Sequence, residues 1–215
     1  MKMTRRLAVA ASLAVALLGA LLGTAPASAD SIGFDITVPN AALVPFPTPY
    51  AHVDVNRTNS TNATITFTGL TTGAFTYSFG AVNAVDVNVN AATFSVAESI
   101  PTLSFGGSGN VSEFGTLNAT LNNSDGFPDR LAAANFTVTN TSGTWASASD
   151  VLTPNSKGFS AAAHIFVTAV TCEDACVTGF AGDPGLTPVP EPVTMLLFGT
   201  SLLGAGIAGR KKLFR

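Results

Sequence analysis

In one short run after another between residues 64 and 138, apolar and polar side chains alternate with a period of two, and this pattern constrains the fold more than any other feature of the chain. Successive side chains of an extended strand point to opposite faces, so alternation describes a strand with one face on a core and one in water. Thr64-Ile65-Thr66-Phe67-Thr68 shows it; a Gly69 to Gly73 turn leads on to Phe75-Thr76-Tyr77-Ser78-Phe79, and together they predict a hairpin. Val85 to Val89, Phe94 to Val96 and Phe136 to Val138 repeat the pattern, whereas His164 to Val170 is more continuously apolar and predicts a strand buried on both faces. β-Branched and aromatic residues fill these runs and Gly, Asn, Asp or Pro separates them. No amphipathic helical pattern competes, so the body is expected to be all-β, most simply an antiparallel sandwich. Asn56 to Thr64 reads as a polar loop or strand edge, and Phe105-Gly106-Gly107-Ser108-Gly109-Asn110 as a flexible loop.

With 47% hydrophobic residues and fifteen Phe, the chain has enough apolar material for a core, which argues against disorder despite a charged fraction of only 11%. The charges are placed unevenly. Lys2, Arg5 and Arg6 stand at the start and Arg210, Lys211, Lys212 and Arg215 at the end, leaving Arg57, Arg130 and Lys157 against nine Asp and three Glu between residues 30 and 189. A body this acidic and Lys-poor is not expected to bind nucleic acid, because neutralising phosphates takes clustered cations.

The two ends are built differently from the body. After the basic start, Leu7 to Leu22 is apolar apart from Ser12 and Gly19, and Ala27-Ser28-Ala29 follows as a small-x-small cleavage triplet. Residues 1–29 therefore read as a secretory signal peptide, with the mature chain starting near Asp30. At the other end come Pro190-Glu191-Pro192, an uncharged stretch from Val193 to Gly209, and the cluster Arg210, Lys211, Lys212 and Arg215. Seventeen residues span roughly 26 Å as a helix, just enough to cross a bilayer core, so one C-terminal transmembrane helix is expected. The basic cluster behind it should stay cytoplasmic and the body outside, the topology that a cleaved signal peptide also requires. Ser201, Ala205 and Gly209 place small side chains on one face of that helix.

Val189-Pro190-Glu191-Pro192, a short Leu/Gly-rich span and a terminal basic cluster resemble the PEP-CTERM sorting signal of exopolysaccharide-producing Gram-negative bacteria. The resemblance covers residues 189–215 alone. It implies recognition by exosortase, an integral-membrane transpeptidase-like enzyme, transient anchoring in the inner membrane, and delivery of the body to the cell surface or matrix. The chemistry suits such a role: Pro190 and Pro192 lack an N–H and hold the preceding residues extended, and Glu191 places one anionic handle between them. Four segments result: a signal peptide (1–29), a β-rich secreted domain (30–182), a Pro/Gly-rich linker (183–188) and the sorting signal (189–215).

Within the body, Cys172 and Cys176 bracket Glu173-Asp174-Ala175, and in an exported chain that spacing predicts a small local disulfide after the last strong strand. A zinc site would need two more ligands, and His52 and His164 lie far away in sequence, so neither metal nor cofactor is expected. His52 and Asp54 would share a strand face, as a base and its orienter would, but no G-x-S-x-G elbow accompanies them, since Ser108 sits in a plain glycine loop. His164 reads as a hydrogen-bonded core histidine. Asn123, Asp125 and Asp129 around Gly126 miss the EF-hand pattern at Leu121 and Ala132 and read as a turn, with calcium binding of a non-EF kind by the acidic body as the second reading. Eight Asn-x-Ser/Thr triplets, at Asn56, Asn59, Asn62, Asn110, Asn118, Asn122, Asn135 and Asn140, read as hydrophilic strand faces and loops, with glycosylation as the second reading. Catalysis is not expected. Two roles fit: a structural surface or matrix protein, associated with exopolysaccharide and biofilm, and a secreted β-sandwich carbohydrate-binding module delivered by the same route. An exposed aromatic platform would favour the second, but Trp145, Tyr50 and Tyr77 are the only Trp and Tyr.

Overall fold

The computed structural model describes residues 30–124, 127–172 and 175–185. Thirteen strands run through them: β1 (Asp30–Ile36), β2 (Val38–Pro39), β3 (Ala51–Arg57), β4 (Asn62–Gly69), β5 (Thr71–Thr72), β6 (Phe75–Phe79), β7 (Val85–Val87), β8 (Phe94–Glu98), β9 (Ser104–Val111), β10 (Gly115–Asn122), β11 (Ala133–Asn140), β12 (Ala161–Thr168) and β13 (Val177–Gly182). Helical structure among the described residues is confined to three 3-10 turns, Ser112–Phe114, Phe127–Asp129 and Ala148–Asp150. The expected all-β body is what the chain adopts.

One sheet has the order β1-β3-β4-β11-β8, and the other β2-β13-β12-β7-β10-β9 with β5 and β6 joined to it through β12, every pairing antiparallel. In the first sheet alternation does what the sequence implies. Val53 and Val55, Ile65 and Phe67, and Phe136 and Val138 are fully buried, while Asp54, Asn56, Thr66 and Thr137 between them lie on the outer face. The inner faces of the two sheets meet through rings: Phe67 of β4 packs edge-on against Phe79 of β6 at 6.0 Å and beside Phe136 of β11 at 6.5 Å.

The second sheet is covered on both sides, which explains its continuous apolar runs. Ala161, Ala163, Ile165 and Val167 of β12 face the first sheet. Ala162 faces the other way, into a smaller core with Val111, Phe114 and Leu117, to which Val38, Phe159 and Phe180 add half-buried side chains. The strand at Ile165 to Val167 is buried on both faces as expected, whereas Val170 lies beyond its end and is fully exposed.

Two expectations need correction. Thr64 to Thr68 and Phe75 to Phe79 do not form a hairpin, because β4 pairs with β3 and β11 in one sheet, and β6 pairs with β5 and β12 in the other. Alternation marks which face of a strand is buried and leaves its partner open; here two inward-facing aromatic strands meet across the core instead of side by side. The turn signal belongs to a smaller hairpin in which Thr72 opposes Phe75 and Gly73 takes the left-handed conformation, with φ 64°. The second correction is Phe105 to Asn110, which is strand and not loop: β9 pairs along β10, with register shifts between Leu117 and Leu121. Glycine makes this possible, since a Cβ at Gly106 would come within 2.6 Å of the Asn122 amide nitrogen and one at Gly109 within 2.9 Å of Thr120 Cγ2.

Asn56 to Thr64 divides as its two readings suggested. β3 runs to Arg57 and β4 starts at Asn62, and in the turn between them Asn59 Oδ1 accepts hydrogen bonds from the Thr61 and Asn62 amides, both at 2.9 Å.

Candidate functional site

His52 is the best candidate for chemistry within the body, and the structure supplies the partner that its sequence neighbourhood lacks. Asp35 of β1 stands opposite His52 of β3 in the ladder, and its Oδ1 lies 2.6 Å from His52 Nδ1. Asp54, two residues along the strand, lies farther off, 3.5 Å from Nε2. The imidazole therefore sits between two carboxylates on the outer face of the first sheet, all three side chains being well exposed to solvent. It lies across Gly33, where a Cβ would approach Nε2 to 2.7 Å, so a glycine in β1 is what leaves room for the ring. Thr68 is the cross-strand neighbour on β4. Asp35, not Asp54, orients the ring, and nothing local to His52 in the sequence reveals it, because the pairing spans seventeen residues.

The other residues singled out have structural roles. His164 of β12 is half-buried, stacks on Phe180 at 4.4 Å and approaches Phe166 at 5.3 Å. Ser108 lies in β9 and its hydroxyl donates to the Leu117 carbonyl at 3.2 Å. Asn123 donates from its amide to the Asp129 carbonyl at 2.6 Å, closing a turn; Asp125 and Gly126 lie outside the described residues. Cys172 and Cys176 are joined by a disulfide. Among the described residues there is no group of three or more His, Cys, Asp or Glu positioned to hold a metal ion.

Several of the Asn-x-Ser/Thr asparagines brace the backbone. The Asn118 amide accepts from Val89 N at 2.7 Å and donates to Val89 O at 2.8 Å, standing in for a ladder pair where β7 has ended. Asn122 accepts from Asn83 N at 2.9 Å, and Asn140 is buried with its Oδ1 accepting from Ser142 N at 3.0 Å. Asn56 and Asn110 remain exposed. The aromatic residues that a sugar platform would use are committed elsewhere. Trp145 is buried with Nε1 donating to Asn90 O at 2.8 Å. The buried Tyr50 and Tyr77 hydroxyls donate to the Leu43 and Pro47 carbonyls. Burial, reinforced by neighbouring Tyr50, pushes the Tyr77 hydroxyl up to about 12.

Two acidic residues are buried where the sequence suggested exposure. Asp86 alternates with Val85 and Val87 and should face water, yet it is wholly buried between Thr120 and Ala162, because this sheet is covered on both sides. Burial raises its carboxyl well above the usual carboxylate range. Asp183, placed at the start of the linker by composition, belongs to the body. Its buried Oδ1 accepts from Ser160 N at 2.8 Å and Ala161 N at 2.9 Å, and its Oδ2 from Gly185 N at 3.2 Å. Desolvation raises this carboxyl too, with the Ala161, Ser160 and Gly185 amides and its own pulling the other way.

The sorting residues Pro190, Glu191 and Pro192, the span Val193 to Gly209, the cluster Arg210, Lys211, Lys212 and Arg215, and residues 1–29 all lie outside the described residues. Among the described residues no helix is long and apolar enough to cross a membrane. No curated protein and no solved structure matches the chain. Residues 188–212 match the family model of the PEP-CTERM protein-sorting motif, a match that takes in Pro190, Glu191, Pro192, Arg210, Lys211 and Lys212 and stops short of Arg215. The motif follows directly on a body whose last clamp is Asp183, and it marks the chain as an extracellular protein that carries a PEP-CTERM sorting motif and is processed by exosortase at a membrane.

Proposed function

We propose that the chain is the precursor of a structural protein of the cell surface or extracellular matrix of an exopolysaccharide-producing Gram-negative bacterium. Residues 1–29 direct export and are removed as a signal peptide. Val193 to Gly209 holds the exported chain in the inner membrane with the basic cluster inside, until exosortase acts at the Pro190 to Pro192 segment and releases the body. The observation that carries this reading is the sorting motif at residues 188–212, placed immediately behind a β-sandwich body with its own core. The body is read as non-catalytic, because His52 and its two carboxylates stand well exposed to water on the outer face of the first sheet.

A plain anchor and a sorting signal need different residues, and that difference is the test. An anchor needs only the apolar span and the basic cluster, so changing Pro190, Glu191 and Pro192 together to Ala would leave it unaffected. For a sorting signal, the same triple variant stays membrane-bound with residues 193–215 attached, read by fractionation in the native host and intact-mass spectrometry. Wild-type-like processing of the variant would reduce the motif to a linker.

A carbohydrate-binding role draws on one observation. Phe180, His164, Phe166 and Phe127 form a row of neighbouring rings, and the Arg130 guanidinium lies 4.1 Å over Phe127. The rings are buried or half-buried, which makes them a weaker platform than exposed Trp or Tyr. Polysaccharide pull-down with an Arg130→Ala and Phe127→Ala pair tests this second role.

A further inference from the structure

We infer that the outer face of the first sheet docks an amine-bearing polysaccharide, with one ammonium group seated between His52 and Asp54 over Gly33. The choice of polymer rests on the reading of the body as a matrix component, whereas the seat rests on geometry. Asp35 Oδ1 lies 2.6 Å from His52 Nδ1, and because a carboxylate only accepts, Nδ1 carries the proton of the neutral ring. Nε2 is then an acceptor as well, and it faces Asp54 Oδ1 at 3.5 Å, beyond the length of an ordinary hydrogen bond. Two acceptors turned toward each other call for a donor between them. Gly33 leaves room for one: it stands opposite Asp54 in the ladder, and a Cβ there would lie 2.7 Å from Nε2 and 3.4 Å from Asp54 Oδ1. An ammonium nitrogen just above that point can donate to both. Among the described residues no Lys or Arg pairs with Asp35 or Asp54, and no three ligating side chains converge as a metal ion would require.

The rest of the face suits the same polymer, and it is a different face from the ring row of the second sheet. Gly33, Asp54 and Thr66 stand side by side across β1, β3 and β4, and Asp35, His52 and Thr68 form the next row. Neighbouring strands are about 4.8 Å apart, so a polymer crossing them from the seat meets a threonine hydroxyl within about 10 Å. The outward positions of the five strands carry no Lys, no Arg and no large apolar side chain. A protein partner would need a desolvated aromatic or aliphatic centre, which this face lacks, while a sugar polymer binds through hydroxyls and amides. Charge selects among such polymers. Between residues 30 and 189 nine Asp and three Glu stand against Arg57, Arg130 and Lys157, so the body attracts a polycation and repels a polyanion.

The test is calorimetry at low salt on mature protein purified from the native host, with the buried Trp145 reporting that each variant is folded. The probes are short oligomers of glucosamine, the matching oligomers of N-acetylglucosamine, and oligo-lysine of the same charge. Glucosamine oligomers are expected to bind at least about ten-fold more tightly than the acetylated ones, which keep the hydroxyls and lose the ammonium. Gly33→Ala fills the seat without changing the charge and should cost at least about ten-fold in glucosamine affinity, as should Asp54→Asn. Glu113→Gln removes an exposed carboxylate from the 3-10 turn Ser112–Phe114 and should change it by no more than about two-fold. Equal binding of the two sugars, or full affinity in the folded Gly33→Ala and Asp54→Asn variants, would overturn the seat. Oligo-lysine bound as tightly as glucosamine would give the face to a basic peptide and overturn the choice of polymer. None of these readouts depends on where the host delivers the protein, so a failed sorting test removes the matrix reading and leaves the seat standing.

Discussion

Replacing Asp86 with Asn should stabilise the protein, and by an amount that grows with pH. Asp86 is fully buried in β7 and neither carboxylate oxygen has a hydrogen-bond partner of ordinary geometry. Its cross-strand neighbours Thr120 and Ala162 carry no charge, His164 stands two residues farther along β12 on the same face, and the Leu121 backbone opposes the effect of burial without outweighing it. The folded-state pKa is raised above the unfolded value near 3.9, so the folded state binds more protons than the unfolded one once the pH exceeds about 4. Stability is then fully present below pH ~4 and is lost as pH rises toward the folded pKa, at up to about 1.4 kcal/mol per pH unit. Asn has a similar shape and does not titrate. The variant should match the wild type within ~1 kcal/mol near pH 4 and gain up to about 1.4 kcal/mol on it with each unit above, roughly 3–5 °C in melting temperature for a body this size. Asp183 titrates with the same sign in both proteins and cancels from the difference. Trp145, the single Trp and itself buried, makes fluorescence-detected urea unfolding at pH 4, 5, 6 and 7 a clean assay. A difference independent of pH, or a variant less stable at pH 7, would show that the ionised carboxylate is held by a partner and refute the reasoning.

Asp183→Ala should destabilise the body by about 2–4 kcal/mol in the same unfolding assay, because it strips the shared acceptor from the Ser160, Ala161 and Gly185 amides. A loss below ~0.5 kcal/mol would mean that water replaces the carboxylate without cost. The bond between Cys172 and Cys176 closes so short a loop that changing both to Ser should cost about 2 kcal/mol or less. Non-reducing peptide mapping of exported protein should recover the two as one linked peptide, and finding two free thiols would remove the bridge.

What could be read without the structure was local. The sorting tail is legible because its parts are consecutive in the sequence: a Pro-Glu-Pro triplet, an uncharged apolar run and a cluster of cations. The cysteine pair is legible because four residues of separation leave little choice of geometry. Period-two runs such as Ile65-Thr66-Phe67 identified strands and their buried faces, since the pleat itself has that period. Pairing is a different matter, because it depends on residues tens of positions away. Tertiary structure alone sent β4 and β6 to opposite sheets, set Asp35 against His52 and Asp30 against Arg57, and drew a glycine-rich segment into β9. It also buried Asp86 and Asp183, whose surroundings argue for exposure, because covering the second sheet on its far side is a decision of the whole chain. Alternation tells which side of a strand avoids water, and only the packed fold decides whether the other side meets it.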